Sequence, residues 1–336
     1  MKVWQVQSPG GLNGLTLVDK PQPQPGVKQI LLKMCAVSLN YRDLITVKGA
    51  YGSKQKFPFI PFSDGVGEVV AVGEGVSKVQ IGDRVAGIFM QSWLSGKFQG
   101  NHPKSALGGA IDGLLAEYVT LDEDGVVKVP AHLSHEEAAT LPCAPVTAWN
   151  ALTTVGKLQP GDTILTLGTG GVSLFALQFA KMMGVRVIAT SSSDKKLDKL
   201  IQLGASDGIN YQKTPNWDEK VWEITEKKGV DRVIEVGGAN TLNKSLRALS
   251  YGGHISLIGV LAGFSADIST VTILQKGIHI QGIYVGSREM FAAMNRAISL
   301  HQIRPIIDRV FPFEQAPEAL AYMESGAHFG KICLQF

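Results

Sequence analysis

The segment Asp162-Thr-Ile-Leu-Thr-Leu-Gly-Thr-Gly-Gly-Val-Ser173 places a glycine-rich turn directly after an apolar run. Apolar residues with helical spacing follow as far as Ala180. A second strand-like run, Val185-Arg-Val-Ile-Ala189, then leads into Thr190-Ser-Ser-Ser193. Strand, glycine turn, helix and strand in this order form the unit that holds a dinucleotide pyrophosphate at a helix N-terminus. A purely structural turn in some other α/β protein is the alternative.

Five consecutive residues form the predicted pyrophosphate loop: Gly168, Thr169, Gly170, Gly171 and Val172. Gly168 allows the tight turn, and Gly170 lets the backbone approach the phosphates. Ser173 replaces the third glycine of the usual pattern. We therefore expect the helix to lie slightly farther from its strand than in other dinucleotide sites.

The end of the second strand indicates which dinucleotide binds. An NAD site places an acid there, which bonds the ribose 2′-hydroxyl. This chain instead has Ser191 and Ser192, followed by Lys195 and Lys196. Hydroxyl and ammonium groups suit a 2′-phosphate, which a carboxylate would repel. Asp194 is the nearest acid, but it lies past the strand end and is expected to cap the next helix. The sequence thus predicts NADP, bound as NADPH.

Composition excludes several classes of protein. A length of 336 residues suggests two domains. The net charge of +3 is too small and too dispersed for a nucleic-acid partner. No apolar run reaches the roughly 18 residues that a membrane span needs, and residues 1–7 lack the apolar core of a secretory signal. The chain has three cysteines: Cys35, Cys143 and Cys333. Their odd number and wide separation in sequence argue against a disulfide framework. We expect a cytoplasmic protein with neither nucleic-acid nor membrane partner.

The pattern of elements changes along the chain. Residues 1–125 alternate short apolar runs with glycine and proline turns, which is typical of a β-barrel. From Ser134, which has capping-box spacing to Glu137, helices and buried strands follow. The predicted strands of this second region are residues 162–167, 185–190, 230–236, 254–258 and 278–285. Strands separated mostly by helices indicate an α/β fold with a doubly wound parallel sheet. A helix at 288–301 and a strand at 331–336 are predicted near the C-terminus.

Several segments resemble the medium-chain dehydrogenase/reductase superfamily, over nearly the whole chain. They are Gly65-Val-Gly-Glu-Val-Val-Ala-Val-Gly73, Gly82-Asp-Arg-Val85, Leu141-Pro-Cys-Ala-Pro-Val-Thr-Ala-Trp149, the glycine loop and Leu203-Gly-Ala205. The chain looks most like the zinc-independent, quinone-oxidoreductase-like branch, often described as zinc-type alcohol dehydrogenase-like. The resemblance implies a GroES-like β-barrel catalytic domain at residues 1–125 and 290–336. It also implies a Rossmann domain at 126–289 and an active site in the cleft between the two domains.

The chain departs from the zinc-containing members at the ligand positions. A catalytic zinc needs three protein ligands and an open position. By resemblance, Asn40 stands at the first Cys position, Phe62-Ser63-Asp64 replaces the family's Gly-His-Glu, and Cys143 alone is retained. Residues 91–113, where the structural zinc would bind, contain no cysteine. We expect zinc in neither site, and Cys143 either as a small buried apolar residue or as a reactive thiol.

Without a metal, hydrogen bonds must polarise the substrate oxygen. By resemblance, Asn40 and Tyr41 match the Asn–aromatic pair of quinone reductases, and Tyr51 matches a cleft hydroxyl. Thr147 matches a hydroxyl beside the nicotinamide. The alternative for Tyr41 and Tyr51 is that they only line an apolar pocket.

Two further residues, Asp43 and Trp93, each have two alternative roles. Asp43 is expected to tether the backbone or Arg42, with acid catalysis as the alternative. Trp93 either covers the cleft or is a simple surface aromatic.

The resemblance extends the cofactor site beyond the glycine loop. Lys196 precedes Gly204 by eight residues, as the phosphate-binding lysine of NADPH quinone reductases does, and a solvated helix-start lysine is the alternative. Tyr211 occupies the place of an aromatic beside the adenosine phosphate. The remaining expected cofactor residues follow later strands or lie near the C-terminus: Gly237, Leu261, Val285, Gly286, Ser287 and Lys331. Lys331 and the 284–288 segment are expected near the nicotinamide half and the pyrophosphate.

These residues predict an NADPH-dependent reductase that delivers a hydride to a quinone or an α,β-unsaturated ketone or aldehyde. A zinc-free alcohol dehydrogenase or carbonyl reductase is the alternative enzyme, and a nucleotide-binding structural protein is the non-enzymatic alternative. The predicted strand 278–285 would leave an unpaired sheet edge, which superfamily members cover with the same strand of a second subunit. We therefore expect a homodimer.

Overall fold

The computed structural model of the protein describes residues 1–8, 11–49 and 56–336. The chain divides into two compact units. The terminal unit comprises Met1–Val146 and Gly286–Phe336, and the central unit comprises Thr147–Val285.

The strands follow one another along the chain as β1 Lys2–Val6, β2 Leu15–Asp19, β3 Gln29–Ser38, β4 Asp64–Val72, β5 Arg84–Gly87, β6 Tyr118–Asp122, β7 Val126–Lys128, β8 Thr163–Leu167, β9 Arg186–Ser191, β10 Asp207–Asn210, β11 Val230–Glu235, β12 Leu249–Leu257, β13 His279–Gly282, β14 Ile307–Pro312 and β15 Lys331–Gln335. The α-helices are α1 Tyr41–Val47, α2 His135–Ala139, α3 Ala144–Trp149, α4 Gly171–Met182, α5 Asp194–Leu203, α6 Trp217–Ile224, α7 Ala239–Ala248, α8 Thr270–Lys276, α9 Arg288–His301 and α10 Ala316–Glu324. Short 3-10 turns occur at Gly11–Gly14, His102–Ser105, Glu123–Gly125 and Phe313–Gln315, and a π-helical turn at Asn150–Thr154.

A largely antiparallel sheet forms the terminal unit. Its strands are ordered β14-β15-β3-β4-β5-β7, and β6 also pairs with β3. The pairs from β15 through β7 are antiparallel, whereas β14 and β15 run parallel. The register sets Ser38, the last residue of β3, opposite both Asp64 of β4 and Cys333 of β15. Residues next to these three positions therefore lie close together at one end of β3, β4 and β15.

The central unit is a six-stranded sheet in which every pair of neighbours is parallel. The strand order β10-β9-β8-β11-β12-β13 reverses direction between β8 and β11, as in dinucleotide-binding doubly wound folds. Buried apolar residues of β8 to β12 pack into one core with those of α6 and α7. The predicted α/β fold with a Rossmann-type parallel sheet is confirmed.

One strand of this sheet was not predicted, and two had different lengths. The run Asp207-Gly-Ile-Asn210 of β10 has a single large apolar residue, too few for a pattern. β12 begins at Leu249, five residues before the prediction, and β13 ends at Gly282, three residues early. Parallel pairing, rather than local alternation, sets these limits.

The boundaries between the units differ from residues 125/126 and 289/290, where we expected them. The predicted capping box of α2 is confirmed, since Ser134 Oγ accepts from Glu137 N at 3.2 Å and Ser134 N donates to Glu137 Oε2 at 2.9 Å. However, α2 belongs to the terminal unit, where Cys333 Sγ donates to Glu136 O at 3.5 Å. The first predicted boundary, at 125/126, therefore precedes the boundary between the units, at 146/147, by about twenty residues.

None of the helices in the described part of the chain is long and apolar enough to traverse a lipid bilayer.

One buried carboxylate ties three loops of the terminal unit together. Glu123 accepts hydrogen bonds from the backbone N–H groups of Ser77 at 2.7 Å and Lys78 at 2.8 Å. Lys28 Nζ donates to the same carboxylate at 2.9 Å. The Ser77 N–H, the Lys28 ammonium and the Lys78 N–H lower the pKa of Glu123 to about 2. The ionised form is thus the one that the fold stabilises.

We predict that Glu123→Gln lowers the Tm at pH 7, because the neutral amide cannot replace a carboxylate that accepts from three donors. A lowered folded pKa contributes stability above the unfolded pKa, near 4.5, and this contribution is lost as the pH falls toward about 2. The Tm difference should therefore be constant above pH 5 to 6 and shrink below about pH 4.5. Thermal melts across this range test it, with the exposed Glu74→Gln as control. A difference that stays constant down to pH 3 would contradict the assignment.

Candidate active site

The loop between β8 and α4 has an open turn and an uncapped helix N-terminus. Gly168 has a φ of +72°, a left-handed conformation that favours glycine. Apart from adjacent residues, a Cβ atom at Gly168 or Gly170 would meet no heavy atom of the described residues within 4 Å. The N-cap of α4 is Gly170, which has no side chain to satisfy the first N–H groups of the helix. This loop fits the pyrophosphate of a dinucleotide.

Two hydroxyl groups fix the loop to its strands. Ser173 is buried, and its Oγ donates to the carbonyl oxygen of Leu167 at 2.7 Å. Thr190 Oγ1 accepts from Gly168 N at 3.3 Å. The serine that replaces the third glycine therefore makes a helix–strand hydrogen bond that glycine could not make.

The end of β9 offers polar groups of different accessibility. Ser191 is buried, and its Oγ accepts from Ser193 N at 3.3 Å. Its carbonyl oxygen accepts from Tyr211 N at 3.0 Å, which brings Tyr211 beside the strand end. Ser192 is exposed, Lys196 is half-buried and Tyr211 is 38% exposed. Of the expected phosphate ligands, Ser192, Lys196 and Tyr211 are therefore accessible around one strand end.

Asp194 does not cap α5 as expected. The N-cap is Ser193, and Asp194 is the first helical residue. Its carboxylate accepts from Asn210 Nδ2 at 2.6 Å and from Lys213 Nζ at 2.5 Å, and the Lys213 and Asn210 bonds lower its pKa. The acid nearest to the end of β9 is thus paired with the amide of Asn210, the last residue of β10, and with the ammonium of Lys213, which follows that strand.

A second loop of the central unit is organised by a carboxylate that the sequence analysis overlooked. Glu235 is buried, and its Oε1 accepts from Gly237 N at 2.7 Å, Gly238 N at 3.0 Å and Thr241 Oγ1 at 2.7 Å. Ser245 Oγ donates to the other oxygen. The available signal was an acid at the end of a strand, one residue before the pair Gly237-Gly238.

The Glu235 loop contacts the segment that follows β12. Ala262 N donates to Gly237 O at 2.7 Å, and Leu261 N donates to Val236 O at 3.3 Å. The structure therefore brings together the expected cofactor residues Gly237 and Leu261, at the carboxyl ends of adjacent strands.

The segment expected near the nicotinamide has a strained backbone. Val285 has a φ of +58°, which is unusual for a β-branched residue, and its carbonyl oxygen accepts from Asn150 Nδ2 at 2.8 Å. A Cβ atom at Gly286 would lie 2.6 Å from Val146 Cγ1, so only glycine fits there. Ser287 Oγ accepts from Met290 N at 3.3 Å as the N-cap of α9. The Ser287 hydroxyl thus has a structural partner in the terminal unit.

The expected catalytic residues differ in exposure and in the unit to which they belong. Asn40 is buried and is the N-cap of α1, whereas Tyr41, the next residue, is 45% exposed. Thr147 is buried in α3, at the start of the central unit. Tyr51 lies outside the described residues.

Trp93 is not the simple surface aromatic that was one of our two expectations, and its role as a cover of the cleft stays a prediction. It is only 3% exposed, because its ring stacks on His102 at a centroid distance of 5.4 Å and meets the edge of Phe98 at 5.2 Å. This aromatic cluster lies in the segment that would contain the structural zinc. Aromatic packing thus stabilises the loop that has no cysteine for a structural zinc.

A buried polar cluster connects the ends of β3, β4 and β15. Lys331 is 4% exposed, and its Nζ donates to Leu39 O at 2.6 Å and to Asn40 Oδ1 at 2.7 Å. Asn40 Nδ2 lies 3.5 Å from Ser63 Oγ, and Ser63 Oγ donates to Asp64 Oδ1 at 2.9 Å. The Lys331 ammonium is therefore bonded to acceptors of the terminal unit, and its expected place near the nicotinamide half and the pyrophosphate stays a prediction.

Asp43 holds the backbone of this cluster. Its Oδ2 accepts from Asn40 N at 2.8 Å, and its Oδ1 accepts from Arg42 Nη1 at 3.2 Å. Arg42 Nη1 also donates to Leu107 O at 2.7 Å. The prediction that Asp43 tethers the backbone and Arg42 is confirmed.

Burial dominates the electrostatics of the cluster. It raises the pKa of Asp64 to about 6, although the Lys331 ammonium and the Asn40 hydrogen bond oppose the shift. Burial also raises the pKa of Cys143, and the nearby Asp64 carboxylate adds to this effect. Cys143 N donates to Asp64 Oδ2 at 3.1 Å. A raised pKa keeps the Cys143 thiol protonated near neutral pH, which makes it a poor nucleophile.

The residues at the catalytic zinc positions do not match a zinc donor set. Asn40 Oδ1 accepts from an ammonium group, which would repel a metal ion at the same place. Cys143 alone retains a ligand type of the zinc enzymes, and Ser63 replaces the histidine. In the described part of the chain, no group of three or more His, Cys, Asp or Glu residues is placed to hold a metal.

Sequence comparisons identify the family. Residues 26–131 match the alcohol dehydrogenase GroES-like domain, and residues 171–299 match the zinc-binding dehydrogenase domain. A zinc-type alcohol dehydrogenase-like protein of Schizosaccharomyces pombe is 45% identical, over 91% of this chain and 90% of that protein. The chain belongs to the medium-chain dehydrogenase/reductase superfamily. A quinone oxidoreductase of Sus scrofa is 30% identical to this superfamily member, over 90% of this chain and 87% of that protein.

Solved structures agree over the full length of the chain. A putative alcohol dehydrogenase from Sinorhizobium meliloti 1021 has a TM-score of 0.93 at 41% identity, and covers 100% of both chains. An NAD-dependent alcohol dehydrogenase has a TM-score of 0.92 at 32% identity, and a mycobacterial protein complexed with NADPH has 0.85 at 28%, each with 100% of both chains covered. The protein is thus an oxidoreductase with alcohol dehydrogenase-like and quinone oxidoreductase relatives.

Proposed function

We propose that this superfamily member is a zinc-independent, NADPH-dependent reductase of quinones or α,β-unsaturated ketones and aldehydes. The observation that carries the proposal is the buried Asn40–Lys331 pair, at a position where zinc enzymes have a thiolate ligand. An amide and an ammonium can donate hydrogen bonds to a substrate oxygen or to each other, but they cannot coordinate a cation in place of a thiolate.

The proposed cofactor site comprises the described residues at the carboxyl edge of the central sheet. The Gly168–Val172 loop would hold the pyrophosphate at the N-terminus of α4, and Ser192, Lys196 and Tyr211 would surround the 2′-phosphate. The ion pair with Lys213 reduces the electrostatic repulsion between the Asp194 carboxylate and that phosphate. The chemistry that such a cofactor supplies when bound is hydride donation from its nicotinamide C4.

The proposed substrate residues act by hydrogen bonding. Asn40 donates from Nδ2 and Tyr41 from its hydroxyl to the carbonyl oxygen, where negative charge develops. A proton from Tyr41, Tyr51 or water then completes the two-electron reduction. A quinone or enone spreads the negative charge over a conjugated system, so that a few hydrogen bonds suffice. A saturated aldehyde concentrates the charge on one oxygen and needs stronger stabilisation.

Cofactor choice is testable by titration. We predict a Kd for NADPH at least about tenfold below that for NADH, which corresponds to about 1.4 kcal/mol from one charge-assisted phosphate contact. Lys196→Met should remove most of this preference by weakening NADPH alone, and Ser191→Asp should reverse it by repelling the 2′-phosphate. The matched control is Lys220→Met, which removes an exposed lysine of α6. Equal affinities of the unmodified protein for the two cofactors would refute the preference.

Acceptor choice tests the reaction itself. We expect kcat/KM for a quinone or enone to exceed that for the matching saturated aldehyde by more than about a hundredfold, because the site has hydrogen bonds in place of zinc. Tyr41→Phe should lower kcat for at least one conjugated acceptor, whereas Tyr251→Phe, at a 75% exposed position of the central unit, should not. Comparable rates on saturated aldehydes would favour the carbonyl reductase alternative. NADPH binding without turnover of any acceptor would favour a structural role.

We also propose a homodimer that pairs the β13 edges of two subunits. β13 is the last strand of the central sheet, and all four of its residues are exposed. Large apolar side chains nearby in the sequence are also exposed, as is unusual for a monomer: Leu261 53%, Phe264 79%, Val271 59% and Leu274 81%. An unpaired edge with such neighbours is a site for pairing with a second chain.

Leu274→Asp should therefore shift the protein from dimer to monomer in sedimentation velocity at micromolar concentration, because it would bury a charge in the interface. Leu300→Asp is the matched control, since Leu300 is 79% exposed on α9 of the terminal unit, and it should leave the dimer intact. A monomeric unmodified protein would rule the interface out, whereas a tetramer built from such dimers would not.

A further inference from the structure

The side chain of Asn40 has two ends of equal size and opposite hydrogen-bonding character. A carbonyl substrate can only accept a hydrogen bond, so the proposed reaction requires Nδ2, rather than Oδ1, to face it. Sterics cannot select between the two orientations, because the oxygen and the NH₂ group are nearly isosteric. The selection must come from polar neighbours.

Lys331 is the neighbour that makes the selection. Its Nζ lies 2.7 Å from Asn40 Oδ1, and an ammonium has three donors and no acceptor. A reversed amide would bring two donors against each other in a buried site. The ammonium itself is held in place by the carbonyl oxygen of Leu39 at 2.6 Å.

The opposite end of the amide has acceptors. Ser63 Oγ donates its hydrogen to Asp64 Oδ1 at 2.9 Å, so its lone pairs are directed to other donors. Asn40 Nδ2 lies 3.5 Å from this oxygen, and its hydrogen bond with Asp64 also counteracts the burial of that carboxylate. Nδ2 is thus directed to the Ser63–Asp64 side, and the proposed reaction requires one of its N–H groups to donate to the substrate oxygen.

The backbone of Asn40 is already fixed without Lys331. Asn40 N donates to Asp43 Oδ2, and Asp43 N donates to Asn40 O at 2.9 Å. These bonds set where the side chain starts, and the capping box of α1 also brings the Asn40 side chain to the backbone N–H of Asp43. Lys331 adds to this neutral contact a buried charged donor at Oδ1.

We propose that Lys331 is a positioning residue, which fixes and polarises the Asn40 amide so that Nδ2 donates to the substrate carbonyl oxygen. This inference rests on the proposed reductase function. Donation to Oδ1 draws electron density from the amide and strengthens its N–H donors. Lys331 thus acts through Asn40 and does not touch the substrate.

A double-mutant cycle measures this coupling. We expect Asn40→Ala to lower kcat for the preferred conjugated acceptor by about a hundredfold, as for the loss of an aimed donor. Lys331→Met should lower kcat by about tenfold or more while the KM for NADPH changes by less than about twofold. In the Asn40→Ala background, Lys331→Met should cause no further loss beyond about twofold. Multiplicative losses would overturn the proposal, because they would show that Lys331 acts independently of Asn40.

Two further variants separate orientation from folding. Lys331→Gln keeps a polar side chain that both donates and accepts, so it should fold and still show the loss of kcat, which depends on obligatory donation. If Lys331→Met does not fold, the cycle is run with Lys331→Gln. Lys33→Met, on the exposed face of β3, is the matched control and should retain full kcat. Full kcat in Lys331→Gln would overturn the proposal.

The unmodified protein distinguishes the two levels of inference. Turnover of conjugated acceptors with an additive cycle would overturn the role of Lys331 alone. Failure to reduce any quinone, enone or enal would overturn the proposed function, and the inference on Lys331 with it.

Discussion

The antiparallel pairing of β15 with β3 is the constraint on which the terminal unit depends. It joins segments that are 294 residues apart in sequence, as in the bond from Ser38 Oγ to Ile332 O. The intervening chain includes the whole central unit, so the pairing closes a very long loop. Its register also decides which side chains lie on which face, and a slip by one residue would take Lys331 away from Asn40. The candidate substrate site therefore depends on a contact between the two ends of the chain.

The polar cluster at the ends of β3, β4 and β15 places charged groups at positions that, by resemblance, correspond to the zinc ligands of other superfamily members. Burying Lys331, Asp43 and Asp64 is costly unless each group is paired and hydrogen-bonded. Here the acceptors of Lys331 and the donors of both carboxylates are present, so the cost is largely offset. Such networks contribute little net stability, but they restrict the geometry of their members. A restricted donor is what hydrogen-bond catalysis needs, because an amide that reorients during the reaction loses part of its effect.

The predicted pyrophosphate loop of the central unit differs from this cluster in the polar groups that it presents. There the polar groups are the first backbone N–H groups of α4, which have no side-chain cap among the described residues and lie beside the open space at Gly168 and Gly170. The neighbouring loop is closed instead by Glu235, whose carboxylate is satisfied by backbone N–H groups and two hydroxyls. β8 and β11, which precede these two loops, are adjacent at the point where the strand order reverses. An open loop beside a rigid one is typical of the switch point where doubly wound folds bind their ligands.

The sequence by itself determined the features that depend on local pattern. The glycine loop, the capping box at Ser134, the limits of α9 and the replacement of the zinc ligands were all apparent, because helix periodicity, caps and residue identity are local properties. Only the tertiary structure decided the membership of α2 in the terminal unit, the burial of Trp93 and the partners of Glu235 and Lys331. The local sequence around Lys331 predicts a solvated or phosphate-binding lysine. Nothing in that local sequence indicates that Asn40 will lie beside it. Strand register and burial determine that contact, and both arise from pairing between distant segments.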